Sequence, residues 1–461
     1  MENRFYLADR VGKQYLPEVT SENNFESICK MVKQVFDAVW KDERLNTEAA
    51  LRIQKRAIIG YEHEMKYFLE RISGILNETG NSRMIYPRWY SSPELAVYHE
   101  NWGLCGLAEW FEPRYKDSSS AKIIGDRVYF MHNGRMTLQP QRISAERRRQ
   151  MIRSFLLLTP DERLNKDVHE IYLLDGTRVT IFNGSLTKPG QDVMIFRRYT
   201  VPVYRFEEQA ARKTIPLESM KLFKSMVKLG YNVVFSGAVR TAKSSFLSTW
   251  QSYEDKSLEG VMVETDPEIR MHELMPEAPI VQLIADDDKL EGIIKNLLRS
   301  DADYFIIAEA RNGIAVDTAV KIASKGNRRL KMTFHEREPC DFCMDAAAET
   351  VKSMGGDLQM TARAVAKSFD YIFHFIQLKD KSQKRLNSIY EISYDDRTRS
   401  VHYHRLCKYE PETDSWKWAY HISEDKQKAG EDEDAEVFRE FSSLLAGLGG
   451  GTHAECISRS C

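Results

Sequence analysis

Long hydrophobic runs are missing from this sequence of 461 residues. No stretch of about 18 or more apolar residues occurs, so no membrane-spanning helix is expected. The first residues, MENRFYLADRVGKQ, carry charges where a signal peptide needs an apolar core. We therefore expect a chain that is made and kept in the cytoplasm.

A surplus of positive charge is also lacking. The 66 Lys and Arg residues are balanced by 68 Asp and Glu residues, for a formal net charge of -2. No global basic field therefore indicates nucleic acid as the main ligand, and no specific nucleic-acid partner is expected. The seven cysteines are odd in number and scattered, which is typical of reduced thiols and not of a disulfide framework. A hydrophobic content of 42% is enough to bury the cores of a globular chain with about two to four domains.

Residues 1–85 are predicted to form a helical N-terminal extension. Apolar residues recur at helical spacing in two segments, which favours an αα-hairpin. The residues that carry this periodicity are Phe25, Ile28, Val32, Val35 and Val39, then Leu51, Ile58, Met65, Phe68, Ile72 and Ile75.

Residues 86–200 are predicted to form a small α+β domain. Short strand-like segments there are separated by hairpin turns at Asn133-Gly134 and Asp175-Gly176. Between them, Ser144 is expected to cap a helix in SAERRRQMIRSFLLL. The triple arginine 147–149 favours a solvated helix face over a ligand patch, because charge runs are usually exposed.

After a predicted linker at 201–220, strands and helices alternate through residues 221–425. Such alternation predicts an α/β domain with a mostly parallel sheet and helices on its faces. Ligands of these sheets bind at the carboxyl ends of the strands. The chemically distinctive residues of this region also fall at predicted strand ends.

One strand runs into SGAVRTAKSS, which has the layout of a phosphate-binding loop, G-x-x-x-x-G-K-[ST], except that Ala242 replaces the second glycine. Backbone N–H groups of such a loop surround an anion at the N-terminus of the next helix. Lys243 would meet the β- and γ-phosphates, and the hydroxyl of Ser244 would hold Mg²⁺. An ordinary strand, turn and helix with a solvent-exposed lysine is the alternative. The predicted nucleotide-contacting residues of the loop are Gly237, Ala238, Val239, Arg240, Thr241, Ala242, Lys243, Ser244 and Ser245.

Three other predicted strands end in polar residues. DYFIIAEARNG ends its apolar run at Glu309, and VMVETDPEI does so at Glu264. A phosphoryl-transfer site needs a carboxylate near the loop to orient water and support the metal. LKMTFH ends in His335, which would sense the γ-phosphate, although a single histidine at a strand end is also typical of a structural residue.

In combination, these segments resemble the motor domain of the traffic ATPases of type II and type IV secretion systems. The resemblance is closest to the pilus-assembly ATPases of tight-adherence (Flp/Tad, CpaF-like) systems. SGAVRTAKSS stands for the Walker A loop, VETDPEI for the acidic box, DYFIIAEARNG for Walker B and MTFHERE for the histidine box. They occur in the family's order, and the resemblance covers roughly residues 105 to 400.

The resemblance implies a RecA-like P-loop NTPase motor domain, preceded by a mobile α+β N-terminal domain, that uses ATP and Mg²⁺. It implies that Glu309 polarises water, that Glu264 supports metal or water, and that His335 reads the γ-phosphate. It further implies a hexameric ring that works on an integral membrane platform protein at the inner face of the cell membrane.

Three arginines also take roles from the resemblance. Arg197 and Arg198 match basic residues that approach the nucleotide from across a domain or subunit boundary in the family. Arg311 matches the Walker B arginine, which is structural or couples the site to motion.

Several positions depart from the family pattern. If the loop needs φ > 0 where Ala242 stands, the strain costs about 1 to 2 kcal/mol. Val239 and Arg240 replace small or polar loop residues, and Thr265 replaces the aspartate of the acidic box. Gln282 stands where relatives often carry arginines that clamp a phosphate. Slow hydrolysis is therefore expected, and two alternatives stay open: a nearly inactive nucleotide-binding structural subunit of the same kind of machine, or a RecA-like DNA motor.

Two further segments have features of a binding site. Cys340 and Cys343 have zinc-ligand spacing, but no second cysteine pair follows, which favours two helix-facing thiols. The tail at 426–461 is acidic and then amphipathic, with a helix expected to dock on its own protein or on a partner.

Overall fold

The computed structural model describes residues 25–42, 47–132, 135–156, 167–198, 205–265, 269–285, 287–310 and 312–460. The chain divides into two compact units, Met1–Thr200 and Val201–Cys461. The helices are α1 (Phe25–Asp42), α2 (Thr47–Ile59), α3 (Glu62–Glu78), α4 (Pro93–Asn101), α5 (Ala145–Leu156), α6 (Phe206–Ala211), α7 (Met220–Lys228), α8 (Lys243–Gln251), α9 (Met271–Leu274), α10 (Asp287–Leu297), α11 (Gly313–Ser324), α12 (Phe342–Met354), α13 (Leu358–Ser368) and α14 (Glu424–Gly449). Among the described residues, no helix has the length and apolar character needed to cross a membrane.

The strands fall into two sheets, one in each unit. The first unit contains β1 (Ser120–Ile124), β2 (Arg127–His132), β3 (Arg135–Arg142), β4 (Val168–Tyr172), β5 (Arg178–Phe182) and β6 (Val193–Arg197). The second unit contains β7 (Val233–Gly237), β8 (Gly260–Glu264), β9 (Ile280–Ile284), β10 (Tyr304–Ala310), β11 (Lys331–Phe334), β12 (Tyr371–Gln377), β13 (Lys384–Asp395), β14 (Ser400–Glu410), β15 (Ser415–Trp418) and β16 (Glu455–Ser460).

The helical part of the first unit is not the αα-hairpin that the periodicity predicted. The second predicted segment divides into α2 and α3 because Gly60 adopts φ +107°, a conformation that ends the helix. Helices α1 and α3 share an apolar core with α4, in which the ring of Phe36 lies 5.5 Å from Phe68 and 4.6 Å from Trp102. The helical region therefore packs on residues beyond position 85.

The α+β part of the first unit is a six-stranded antiparallel sheet in the order β3-β2-β1-β6-β5-β4. The predicted turn at Asp175-Gly176 joins β4 to β5, with the N–H of Gly176 donating to the carbonyl of Leu173. The other predicted turn, at Asn133-Gly134, lies outside the described residues. The predicted cap of α5 is confirmed, because Ser144 Oγ accepts the N–H of Arg147 at 3.2 Å.

The triple arginine of α5 is not a solvated face, and the prediction was wrong for two of its three members. Arg148 is buried and donates to the carbonyl of Ile143 at 2.7 Å, with its Nε 3.4 Å from the carboxylate of Asp192. Arg147 donates to the carbonyl of Gly103 at 2.8 Å. Only Arg149 of the three is exposed. These guanidinium groups fasten loops of the unit because they satisfy carbonyls that folding removes from water.

The second unit is an α/β domain built on a ten-stranded sheet. Its parallel part has the order β12-β7-β11-β10-β8-β9, so the strand that precedes the candidate loop is central. Helices connect successive parallel strands, as the alternation predicted, and the predicted α/β class is confirmed. The sheet continues beyond β12 through the antiparallel strands β13, β14 and β15, with β16 also paired to β14. That antiparallel extension was not predicted.

Both flanks of the α/β domain pack on its core. Phe206, within the predicted linker, is fully buried, and its ring stacks 4.4 Å from that of Tyr253. In the tail, Phe441 and Leu445 of α14 are fully buried, and the Phe441 ring lies 5.8 Å from that of Tyr231. The tail helix therefore docks on its own unit, which is the first of the two alternatives that the sequence left open.

Candidate nucleotide-binding site

The residues singled out at strand ends lie along one edge of the sheet. Strands β7, β11, β10 and β8 are parallel neighbours in that order, so their carboxyl ends face the same side. Gly237, Glu309 and Glu264 occur at the ends of three of them, and His335 directly follows the fourth. This edge is where open α/β sheets bind ligands.

The loop between β7 and α8 contains two non-glycine residues in the left-handed region. Arg240 has φ +67° and Ala242 has φ +78°. A glycine would occupy the second position without cost, whereas an alanine there is strained by about 1 to 2 kcal/mol. The first glycine of the motif is required, because Gly237 has φ +139° and a Cβ at that position would lie 2.2 Å from the carbonyl oxygen of Phe375.

Lys243 begins α8 and turns its ammonium group back into the loop. Its Nζ donates to the carbonyls of Gly237 at 2.9 Å and Ala238 at 2.8 Å. The residue is buried, and burial lowers the pKa of its amine to about 8, against the opposing attraction of Glu309. A buried ammonium that donates to two neutral carbonyls would gain from the approach of an anion.

His335 connects this lysine to the carboxylate on the neighbouring strand. Its Nδ1 lies 3.4 Å from Nζ of Lys243, and its Nε2 lies 3.2 Å from Oε1 of Glu309. The register between β10 and β11 shifts between Ile307 and Ala310, so Glu309 lies where the regular strand pairing is interrupted. The three residues that sequence spacing nominated independently are thus brought into one chain of contacts.

Glu264 shares the edge but is held differently. Its side chain is buried, and Oε2 accepts the N–H of Ile269 at 3.2 Å. Gln282, which stands where an arginine was expected, uses its side-chain oxygen to accept the N–H of His272 at 3.0 Å. That amide therefore stabilises the segment after β8 and brings no positive charge.

Of the three predicted arginines, Arg197 and Arg198 are among the described residues, and both belong to the first unit. The guanidinium of Arg198 lies 4.0 Å over the ring of Trp110 and donates to the carbonyl of Ser118 at 3.0 Å, all within the first unit. Arg197 is exposed at the end of β6. Arg311 lies outside the described residues, so its predicted role stays a prediction.

Sequence reasoning missed two residues near the site. His374, on β12, has Nδ1 2.9 Å from Ser236 Oγ, and burial together with the charge of Lys243 lowers the pKa of its imidazole to about 4. Glu336 is buried directly after His335, and its Oε1 accepts the N–H of Arg337 at 2.6 Å. Burial, followed by the charge of Asp345, raises the pKa of Glu336 to about 7. A histidine inside the apolar run YIFHFIQ was the available signal for the first of these.

The thiols of Cys340 and Cys343 are buried in the apolar core of the second unit. Burial raises the pKa of Cys340 to about 11, which disfavours the thiolate that binds zinc. Within the described ranges, no group of three or more His, Cys, Asp or Glu residues is arranged to hold a metal ion.

In sequence, this chain is similar to an ATPase of a pilus machine. That relative is the type IV pilus ATPase PilU of Pseudomonas aeruginosa, which is 30% identical over 117 residues. The match covers 24% of this chain and 31% of the relative, so it takes in about a third of the relative's length. No family model matches the chain. The matched relative is of the class that the four motifs resemble, whereas the narrower likeness to tight-adherence ATPases stays a prediction.

Among solved structures, the chain is similar to two ATPases and a pilus motor. The ATPase DotB of Legionella pneumophila is 15% identical, with 73% of this chain and 86% of that chain covered and a TM-score of 0.43. The pilus retraction motor PilT with bound ADP is 13% identical, with 72% and 86% covered and a TM-score of 0.44. The VirB11 ATPase from the type IV secretion system of Brucella suis is 14% identical, with 62% and 95% covered and a TM-score of 0.33. Likeness at this level leaves the function to be decided by the residues at the sheet edge.

Proposed function

We propose that this chain binds ATP with Mg²⁺ and hydrolyses it as the motor subunit of a machine for pilus assembly or protein secretion. The observation that carries the proposal is the contact chain from Lys243 through His335 to Glu309 at the carboxyl edge of the sheet. A lysine with only a structural role after a turn would not need to be buried, and it would not need a histidine and a carboxylate in contact with one another beside its ammonium group.

Binding depends on the loop and the start of α8. The first N–H groups of a helix have no acceptor within the helix, so those of Lys243, Ser244 and Ser245 suit the oxygens of a phosphate. Lys243 exchanges its carbonyl partners for the β- and γ-phosphates. The hydroxyl of Ser244 and the carboxylate of Glu264 would hold Mg²⁺, which prefers such hard oxygen ligands.

Catalysis is assigned to the two groups in contact at the ends of β10 and β11. Glu309 orients and polarises the attacking water, and His335 responds to the terminal phosphate. Bound Mg²⁺ supplies charge neutralisation on the phosphate oxygens. His335 contacts both Glu309 and the phosphate-binding Lys243. A change of the nucleotide from ATP to ADP would therefore alter the contacts of Glu309 on β10.

Hydrolysis is expected to be slow. Ala242 holds a strained φ in the loop, at a cost of roughly 1 to 2 kcal/mol, and this strain destabilises the conformation in which the loop would bind phosphate. Gln282 brings no positive charge to the transferring phosphoryl group, and loss of a phosphate-clamping arginine typically costs about three orders of magnitude in rate. Arg311 and the arginines at 197 and 198 are proposed to supply charge or coupling from a boundary.

The assembly we propose is a hexameric ring at the inner face of the cell membrane, in the cytoplasm, acting on an integral membrane platform protein. Residues 86–200 would be the mobile N-terminal domain, residues 1–85 its helical extension, and ATP-driven motion of one domain against the other would perform the work. Pilus assembly and protein secretion are both compatible with the site.

A second candidate is a nucleotide-binding structural subunit with almost no turnover. The positive φ of Ala242 favours it, since an intact motor would be expected to keep a glycine there. Thr265 and Gln282 add to the same argument. The two candidates differ in catalysis and not in ligand.

An ATPase assay separates these candidates. The wild-type protein is assayed with Mg·ATP alone, with DNA and with membrane extract, beside Lys243→Ala, Glu309→Gln and the exposed control Glu412→Gln. The motor proposal expects slow turnover that membrane extract stimulates and that both site variants abolish. Stimulation by DNA alone would instead indicate a DNA motor, and nucleotide binding without turnover under every condition would indicate the structural subunit.

A further inference from the structure

A lysine-containing hairpin lies against the outer side of the candidate phosphate loop. Strand β12 pairs with β7 so that Phe375 lies opposite Gly237, the first residue of the loop motif. β12 then continues to Gln377, which is paired with Lys384 at the start of β13. Lys384 is thus placed beyond the last paired residue of β7, at the sheet edge that carries the loop.

The turn of this hairpin is fixed by its own hydrogen bonds. The N–H of Leu378 donates to the carbonyl of Gln383 at 3.0 Å, and the side chain of Gln377 donates to the carbonyl of Lys381 at 2.7 Å. Asp380 Oδ1 accepts the N–H of Ser382 at 3.0 Å. Lys384 Nζ also donates to the Lys381 carbonyl. The cation is therefore held in place and is not a freely moving surface side chain.

Two positive side chains face the same region from the loop and the hairpin. Lys384 is half-buried, and burial lowers the pKa of its amine, with the like charge of Arg240 lowering it further and Asp380 opposing both. Arg240 is exposed and its backbone is held at φ +67° in the loop. Placing two cations together costs free energy that an anion between them would recover.

We propose that Lys384 and Arg240 form a second cationic contact for the polyphosphate of the bound nucleotide, on the β12 side of the loop, away from His335 on the β11 side. This inference rests on the proposed function. The hairpin would then supply part of the positive charge that an arginine in place of Gln282 would have provided. The ligand class is a nucleoside di- or triphosphate in preference to a monophosphate, because a chain of phosphates offers anionic oxygens to Lys243 and to the hairpin pair together.

The test is calorimetric titration of the full-length protein with Mg·ATP and, separately, with AMP. We expect Lys384→Gln and Arg240→Gln each to weaken Mg·ATP binding about tenfold or more, as for loss of a charged hydrogen bond. Lys384→Arg should retain most of the affinity. Lys379→Gln, an exposed change on the same hairpin, should match the wild type, and the double variant should lose less than the product of the two single losses, because both side chains contact one ligand. Thermal melting of each variant checks that it is folded.

The outcomes distinguish this inference from the function on which it rests. If Lys243→Ala abolishes Mg·ATP binding while folded Lys384→Gln binds as tightly as the wild type and Lys379→Gln, the hairpin contact is wrong and the proposed function stands. If the wild type binds no Mg·ATP, both are wrong. A loss for Lys384→Gln that Lys384→Arg restores supports the contact.

Discussion

The Nδ1 atom of His335 lies 3.4 Å from Nζ of Lys243, and the opposite ring nitrogen lies 3.2 Å from Glu309. The imidazole therefore occupies the position between the lysine of the loop and the carboxylate two strands away. At 3.4 Å, the contact between His335 and Lys243 is long for a hydrogen bond. A phosphate at the loop would change it directly.

Replacing His335 by Asn should separate binding from hydrolysis. The loop and Lys243 are untouched, so Mg·ATP affinity should stay within about threefold of the wild type, whereas turnover should fall about a hundredfold, as for loss of a group that acts in the transition state. Steady-state hydrolysis beside calorimetric affinity measures both. The control is His63→Asn on the exposed face of α3. Loss of binding as complete as in Lys243→Ala would show that the histidine is part of the phosphate cradle itself.

Restoring glycine at position 242 should stabilise the second unit. Ala242 has φ +78°, which glycine adopts without strain, so Ala242→Gly should raise the melting temperature of the unit by about 2 °C for roughly 1 kcal/mol. An alanine-to-glycine change within a helix should instead destabilise the protein, so Ala364→Gly in α13 should lower the melting temperature by a similar amount. Scanning calorimetry compares the two. A lower melting temperature for Ala242→Gly would mean that the loop strain is absent.

Nucleotide binding should take up a proton at alkaline pH. Burial lowers the pKa of Lys243 to about 8 in the empty site, and phosphate oxygens beside the ammonium would raise it again. Below about pH 8 the lysine is already charged and no uptake occurs; as pH rises through 8 the empty site loses the proton that the complex keeps, so affinity falls. Titrations at pH 9 in two buffers of different ionisation enthalpy should give nearly one proton taken up. The control is Lys243→Arg, whose side chain stays charged, so a variant that still binds nucleotide should take up no proton. A wild type that takes up no proton at pH 9 would contradict the assignment of the uptake to Lys243.

A buried ion pair on the opposite edge of the sheet should be important for stability. Lys331 Nζ lies 2.5 Å from Oε2 of Glu254, and both side chains are almost completely buried. Glu254→Gln would leave the ammonium without its charged partner, which costs about 3 to 5 kcal/mol in buried pairs. The exposed pair of Lys256 and Glu277, 3.2 Å apart, supplies the control, because Glu277→Gln should cost less than about 1 kcal/mol. Melting temperatures that shift equally would show that the buried pair is not important.

The parallel strands and their polar ends were predictable because each is a continuous apolar run that stops at one conspicuous residue. The proximity of Glu309 and His335 was predictable, because the carboxyl ends of parallel strands lie at one edge of the sheet whatever the details of packing. Strand β13 was not predictable in the same way. It buries Arg385 and Glu391 among its apolar residues, and the partners that make this possible come from distant parts of the chain.

The same limit explains the errors in the first unit. Arg148 looks solvated in sequence because two of its partners, Asp192 and the carbonyl of Gly190, are more than 40 residues away. Lys384 was likewise invisible, as only the pairing of β12 with both β7 and β13 places it beside the loop. Periodicity reports which face of an element is apolar, but it does not report what that face meets.

The start of α8 is proposed to bind a triphosphate, and calorimetric titration of Mg·ATP into the wild type and Lys243→Ala tests this proposal most directly. We expect saturable binding of one nucleotide per chain for the wild type and none for the variant, with both proteins folded. Equal heats for the two proteins, whether both bind or neither does, would contradict it.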